Sequence, residues 1–260
     1  MNSATESEIR EYQQKCFSEY LSIQDAKGKA LFPKSYTYPD GNPIRPLPPA
    51  QTACGGLMIV GAYPSARFES RPSKQRPGRR RLVPVADNLH PFADETYFDG
   101  LRLRVLESAK GLRKYLLCPL RVDAERCWIT DLVKVFLYKP EHVDSCGDAC
   151  PGFPVPQLRT RYAELAQASL PWIKEECGLC RPKLVVTLGE EVAQAVSGER
   201  NAKADDLLNR DVQEPEAIGR FPALYLPHPD ACRRNPEWRE QLRKRRIPLV
   251  KKLLEGRAGR

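Results

Sequence analysis

His228, one of three histidines in 260 residues, stands between two prolines at the end of the apolar run ALYLPHP (223–229). An imidazole at a strand tip can move a proton or donate a hydrogen bond to charge forming on a leaving group. Asp131, in the run CWITDLVKVFL (127–137), offers only acceptors when ionised but a donor and an acceptor when neutral. A third apolar run ends in the turn Gly61-Ala62-Tyr63-Pro64, where glycine allows close backbone approach and proline stiffens the chain. Four of the nine cysteines fall in two pairs, Cys146 and Cys150 in CGDAC and Cys177 and Cys180 in CGLC. Two such knuckles can close a four-thiolate shell around zinc or hold an iron–sulfur cluster. Zinc in a structural role is the preferred reading and a [4Fe-4S] cluster the alternative. Such a site would pin a loop, since four thiolates leave no open position for chemistry.

Elements that alternate in type must position these groups. A helix is predicted over about 6–24, with Tyr12, Cys16, Tyr20 and Leu21 on one side. A Pro- and Gly-rich extended connection follows over 31–56. Continuous apolar runs at 56–62, 127–137, 183–189 and 223–229 read as strands. Helical patterns lie between and after them, at about 99–116, 155–176 (bent at Pro171), 190–198 and 236–254. Gly198 suits a helix C-cap, and Pro236 suits a first helical turn. Strands without polar alternation, separated by helices, predict an α/β fold. Its form is a three-layer αβα sandwich with a central, mostly parallel four-stranded sheet. The expected division is an arm over 1–55 and an α/β domain over 56–260, with a Cys-containing insertion at about 138–156. Ligands of such sheets bind beyond the carboxyl ends of the strands, where Tyr63, Asp131 and His228 all fall.

Charge narrows the partner. The formal net charge is +9, and the segments 71–81 and 233–260 are strongly basic. Clustered Lys and Arg attract polyanions and can follow a phosphate backbone. No run approaches the roughly 18 apolar residues that span a bilayer, and the first residues carry no secretory pattern. A cytoplasmic, nucleoid-associated, monomeric protein without membrane contact is expected. Nine cysteines in that setting argue for metal binding over a disulfide scaffold.

The ordered motifs GAYP, WITDLVK, PKLVVTLG and the strand ending in His-Pro together resemble the uracil-DNA glycosylase superfamily over about 56–245. The bacterial branch that carries an iron–sulfur cluster is the most similar. The resemblance implies a DNA repair glycosylase that flips a uracil-like base and hydrolyses its N-glycosidic bond. It casts His228 as the group that stabilises the departing base, with Tyr63 and Asp131 as further catalytic positions. Gly61, Ala62, Pro64, Phe92 and Asp131 would form the base pocket. Phe92 would stack on the base, with Tyr97 and Phe98 as competitors.

Arg79, Arg80, Arg81, Lys134, Arg233 and Arg234 would contact DNA, duplex or single-stranded. Two departures stand out. Ala62 and Tyr63 occupy the place of an expected acid, and the first carboxylate downstream is Glu69. Asp131 replaces a usual Asn; it either mimics Asn when protonated, reads a base edge rich in N–H donors, or activates water. The cysteine pattern also differs from the cluster-bearing relatives. A non-catalytic DNA or nucleotide binder with the same fold is the alternative.

Overall fold

A computed structural model describes residues 4–256. Its strands are β1 (Leu57–Gly61), β2 (Ala66–Pro72), β3 (Arg80–Asp87), β4 (Thr96–Phe98), β5 (Leu103–Val105), β6 (Cys127–Asp131), β7 (Leu184–Leu188) and β8 (Ala223–Leu226). Four of them form a wholly parallel sheet in the order β6-β1-β7-β8. Every residue of these four strands is buried, because both faces of the sheet are covered. Met58, Val60, Trp128 and Val185 point into one core, shared with the helix Tyr162–Cys180. Leu57, Ile59, Ile129 and Val186 point into the other, shared with Leu112 and Leu116 and with Leu242, Ile247 and Val250 of the closing helical segment. The result is the three-layer αβα sandwich expected from the apolar runs.

The N-terminal segment is built into this sandwich. Thr5 and Glu8 form a reciprocal capping box that starts the helix Glu6–Glu19. Tyr12, Tyr20, Phe32, Tyr36, Tyr38 and Ile44 all bury their side chains in the first core. The Pro-rich stretch then runs beside β6, where Ile129 N donates to Gln51 O and Ala53 N to Cys127 O. It thereby covers an edge that would otherwise present unpaired backbone.

Several elements differ from their sequence patterns, among them the helix expected over 155–176, which spans Tyr162–Cys180, and the β2–β3 hairpin, which no pattern indicated. The expected helix over 99–116 begins only at Glu107. Its first part is the β4–β5 hairpin, turned by Asp99-Gly100, with Gly100 at φ +89° and the Asp99 carboxylate accepting from Leu101 N and Arg102 N. The run 127–137 leaves the strand at Asp131, yet the irregular residues after it stay buried. The segment after His228 forms a short helix, Pro229–Arg234, with His228 as its N-cap.

Lys134 was expected at a DNA phosphate; it is instead wholly buried and pairs with Glu176 at 2.5 Å. It also donates to Thr130 Oγ1 and Asp131 O, while Tyr12 Oη and Trp128 Nε1 donate to the same Glu176 carboxylate. A buried ammonium needs such partners, and Glu176 arrives from a helix 42 residues further along the chain.

Candidate active site

The carboxyl ends of the four strands open into a cleft of ≈ 770 Å³. Ala62, Tyr63, Pro64, Phe92, Asp131 and His228 all line it. The parallel register places Gly61 beside Asp131. A methyl group at Gly61 would lie 2.2 Å from Asp131 Oδ1 and 2.6 Å from Phe92 Cε2. Glycine is therefore what lets the carboxyl and the aromatic ring meet at the cleft floor. Phe92 itself has φ 53°, a left-handed conformation that phenylalanine rarely adopts. Gly61→Ala is expected to cost about 1–3 kcal/mol of stability through overpacking. It should also disturb ligand binding at the cleft more than DNA binding elsewhere, as thermal melts beside binding titrations would show.

Asp131 is buried, and its carboxyl accepts no hydrogen bond from the protein among the described residues. Burial pushes its pKa up to about 7; the nearby Lys134 ammonium opposes the rise and Glu176 adds to it. Near neutral pH much of it is protonated, so it can both donate and accept.

His228 is held on three sides. Its Nδ1 accepts from Asp230 N at 3.2 Å, which places the ring proton on Nε2. Nε2 has no protein partner among the described residues. Gly189, at φ +97°, supplies the left-handed turn after β7, and a Cβ there would lie 3.6 Å from the His228 Cβ. Gly111 allows close packing behind Pro229, where an added Cβ would come within 2.7 Å. Burial lowers the imidazole pKa, with Asp230 pulling the other way, so the ring enters the cleft as a neutral donor.

Tyr63 lies in the cleft with its hydroxyl accepting from Arg159 Nε at 3.1 Å. Arg159 stacks over both the Tyr63 and Tyr162 rings and pairs with Glu191 at 2.5 Å. Burial raises the Tyr63 pKa, which keeps the phenol neutral. Glu69 does not line the cleft; it pairs with Arg71.

Arg159, Glu191 and His142 also line the cleft, and the sequence patterns did not single them out as site residues. Glu191 had a signal, as it follows Gly189 at a strand end. His142 stacks on Phe136 at 5.4 Å between centroids, and burial lowers its pKa to about 4. Arg159 had no signal, since the contacts that place it in the cleft are with residues over 30 and 90 positions away.

The basic residues fall in three states. Arg79 and Arg80 are exposed on the β2–β3 hairpin, with Arg80 donating to Ser70. Arg81 pairs with the buried Asp148 at 2.6 Å. Arg233 and Arg234 are exposed and pair with Asp230, and Arg234 reaches the cleft wall.

The four cysteines expected to share a metal all belong to or border the first core. Cys177 and Cys180 place their sulfurs 3.5 and 3.7 Å from Met58 Sδ in the core. Cys150 accepts from Arg71, beside the end of the helix Pro140–Ala149. Among the described residues no three His, Cys, Asp or Glu side chains group as a metal requires. As placed here, the four thiols do not gather into one shell. The CGDAC segment has another purpose: Asp148 accepts from Ser73 Oγ, Lys74 N, Gln75 N and Arg81 Nε and so anchors the basic hairpin. Those donors hold its carboxyl well below the usual carboxylate range.

Among the described residues no helix is long and apolar enough to cross a membrane. A family model described as the uracil DNA glycosylase superfamily matches residues 55–251. No curated protein gives a significant match to the chain.

Proposed function

The chain belongs to the uracil DNA glycosylase superfamily, and from that premise we propose that it removes a deaminated base, uracil or a close relative, from DNA in base excision repair. The observation that carries this reading is the meeting of Asp131, Phe92 and His228 at one cleft, with Asp131 and Phe92 closing over Gly61 where no larger residue fits. A flipped nucleotide would stack on Phe92 and present its hydrogen-bonding edge to Asp131. Flipping costs a few kcal/mol in lost stacking and pairing, offset by those contacts. Water then bonds to the sugar C1′ as the C1′–N bond breaks; the electron pair leaves with the base, and the proton lost from the water oxygen passes to solvent, from which the base anion is protonated. His228 Nε2–H donates to the negative charge that develops there. A neutral donor suits this task, because a full cation would bind the ground state as well.

In the proposed pocket a protonated Asp131 takes the place of an amide. Base release is then expected to decline as pH rises through about 7, and Asp131→Asn should flatten that decline. Stability has the same sign. The folded-state pKa lies above the ordinary carboxylate value of about 3.9, so the folded chain binds the extra proton. Stability is full below about pH 4, falls between about 4 and 7, and levels off above. Chemical unfolding at several pH values, with Asp131→Asn as the flat control, measures it.

The direct test uses labelled oligonucleotides that each carry one uracil, hypoxanthine, xanthine or thymine mismatch, followed by alkali to break abasic sites. Release of any one base identifies the substrate, in duplex or single-stranded form. A second reading, a DNA binder without catalysis, draws on one feature: Tyr63 stands where an acid is expected, and its hydroxyl is occupied by Arg159. No release from any substrate, with salt-sensitive binding intact, would favour it.

A further inference from the structure

The β4–β5 hairpin turns an apolar face to solvent. Pairing sets Phe98 opposite Leu103 and Thr96 opposite Val105 on one side, while Tyr97 packs inward against Ala93, Leu106 and Ala109. Phe98 is 65%, Leu101 58% and Leu103 72% exposed. Single exposed leucines are ordinary, but a cluster on one face marks a contact surface. The hairpin is also held firmly. Buried Asp99 pairs with Arg104 at 2.5 Å, and Ser70 N donates to Asp99 O at 2.6 Å.

Its surroundings indicate the occupant. Ser70 belongs to β2, and Arg80 of the basic hairpin donates to that same serine, so the apolar tip adjoins a positive surface. The chain leaves β5 directly into Leu106, Glu107 and Ser108, which line the cleft. The segment after His228, in contrast, offers no large apolar group, since Cys232 is buried and the residues around it are small or charged.

We infer that the apolar face of the β4–β5 hairpin is a DNA contact, pressing Phe98, Leu101 and Leu103 into the base stack beside the nucleotide held in the cleft. Apolar wedges of this kind unstack a base step and kink the duplex, and the neighbouring arginines answer the phosphates. This rests on the glycosylase reading for its choice of DNA.

The test is binding of the full chain to a duplex with a tetrahydrofuran abasic analogue and an adjacent 2-aminopurine. Wild type should raise the 2-aminopurine fluorescence as the step opens. The variant Phe98→Ser/Leu103→Ser should abolish the rise and bind roughly tenfold to a hundredfold more weakly. Its salt slope should stay unchanged, because no phosphate contact is removed. Both positions are exposed, and a thermal melt checks that the variant folds; Leu101→Ser repeats the test at the hairpin tip. Equal binding and equal fluorescence in variant and wild type would overturn the inference. So would a wild type that sediments as a dimer and a monomeric variant that binds DNA normally, which would make the face a contact between copies. No cleavage is needed for this readout. Absence of base release would therefore count against the glycosylase reading alone.

Discussion

Replacing His228 with Ala is expected to slow base release by roughly 10²- to 10³-fold, the usual cost of losing one preorganised donor to developing charge. Three features make the effect large. The residue lines the cleft, its tautomer is set by Asp230 N, and among the described residues its Nε2 has no protein partner, while the Pro229 turn beside it packs closely on Gly111. Alanine removes the donor, and water that enters in its place is not oriented. Affinity for DNA bearing a non-cleavable base should change little, because the donor acts on charge absent from the ground state. His228→Gln, which keeps an N–H donor, should retain part of the rate. Single-turnover kinetics beside a binding titration separates the two quantities. An unchanged rate in His228→Ala would remove this histidine from the chemistry.

Lys134→Met is the second large expectation, and it concerns stability. The substitution leaves Glu176 buried with Tyr12, Trp128 and Thr130 as neutral donors and no cation. Breaking a buried pair from one side costs about 3–5 kcal/mol. That is a large share of the roughly 5–15 kcal/mol of a typical domain. Adding Glu176→Gln removes the stranded charge; its amide oxygen can accept from Trp128 Nε1 while its NH2 donates to the Tyr12 and Thr130 hydroxyls, so the double variant should recover much of the loss. Denaturant unfolding of the three proteins gives both numbers. The pair also lies directly behind Asp131, with Lys134 Nζ 2.7 Å from its carbonyl oxygen. The single variant should therefore raise the pH at which Asp131 ionises, since the ammonium now opposes that rise.

The sequence carried most of the sheet. Strands covered on both faces must be apolar throughout, so LMIVG, CWITD, KLVVTLG and ALYL are readable without any partner in view. The glycine turn and the His-Pro end follow those runs directly, and strand ends face the cleft in a parallel sheet. Gly61, Asp131 and His228 were accessible for that reason. The Asp-Gly turn at 99–100 was also readable. A helical spacing of leucines masked it, because Leu101, Leu103 and Val105 imitate a periodic face while they stand exposed on a hairpin.

What local pattern determined was burial, turn chemistry and fold class, each governed by residues near one another in the chain. What only the tertiary structure decided was which charged and sulfur-bearing groups meet. Lys134 reads as a surface cation until Glu176 is packed against it, and Arg81 reads as a free cation until buried Asp148 is seen to hold it. Arg159 reaches Tyr63 across 96 positions. The fate of a charge depends on desolvation and on the partner that offsets it, and both are supplied by segments far away in sequence.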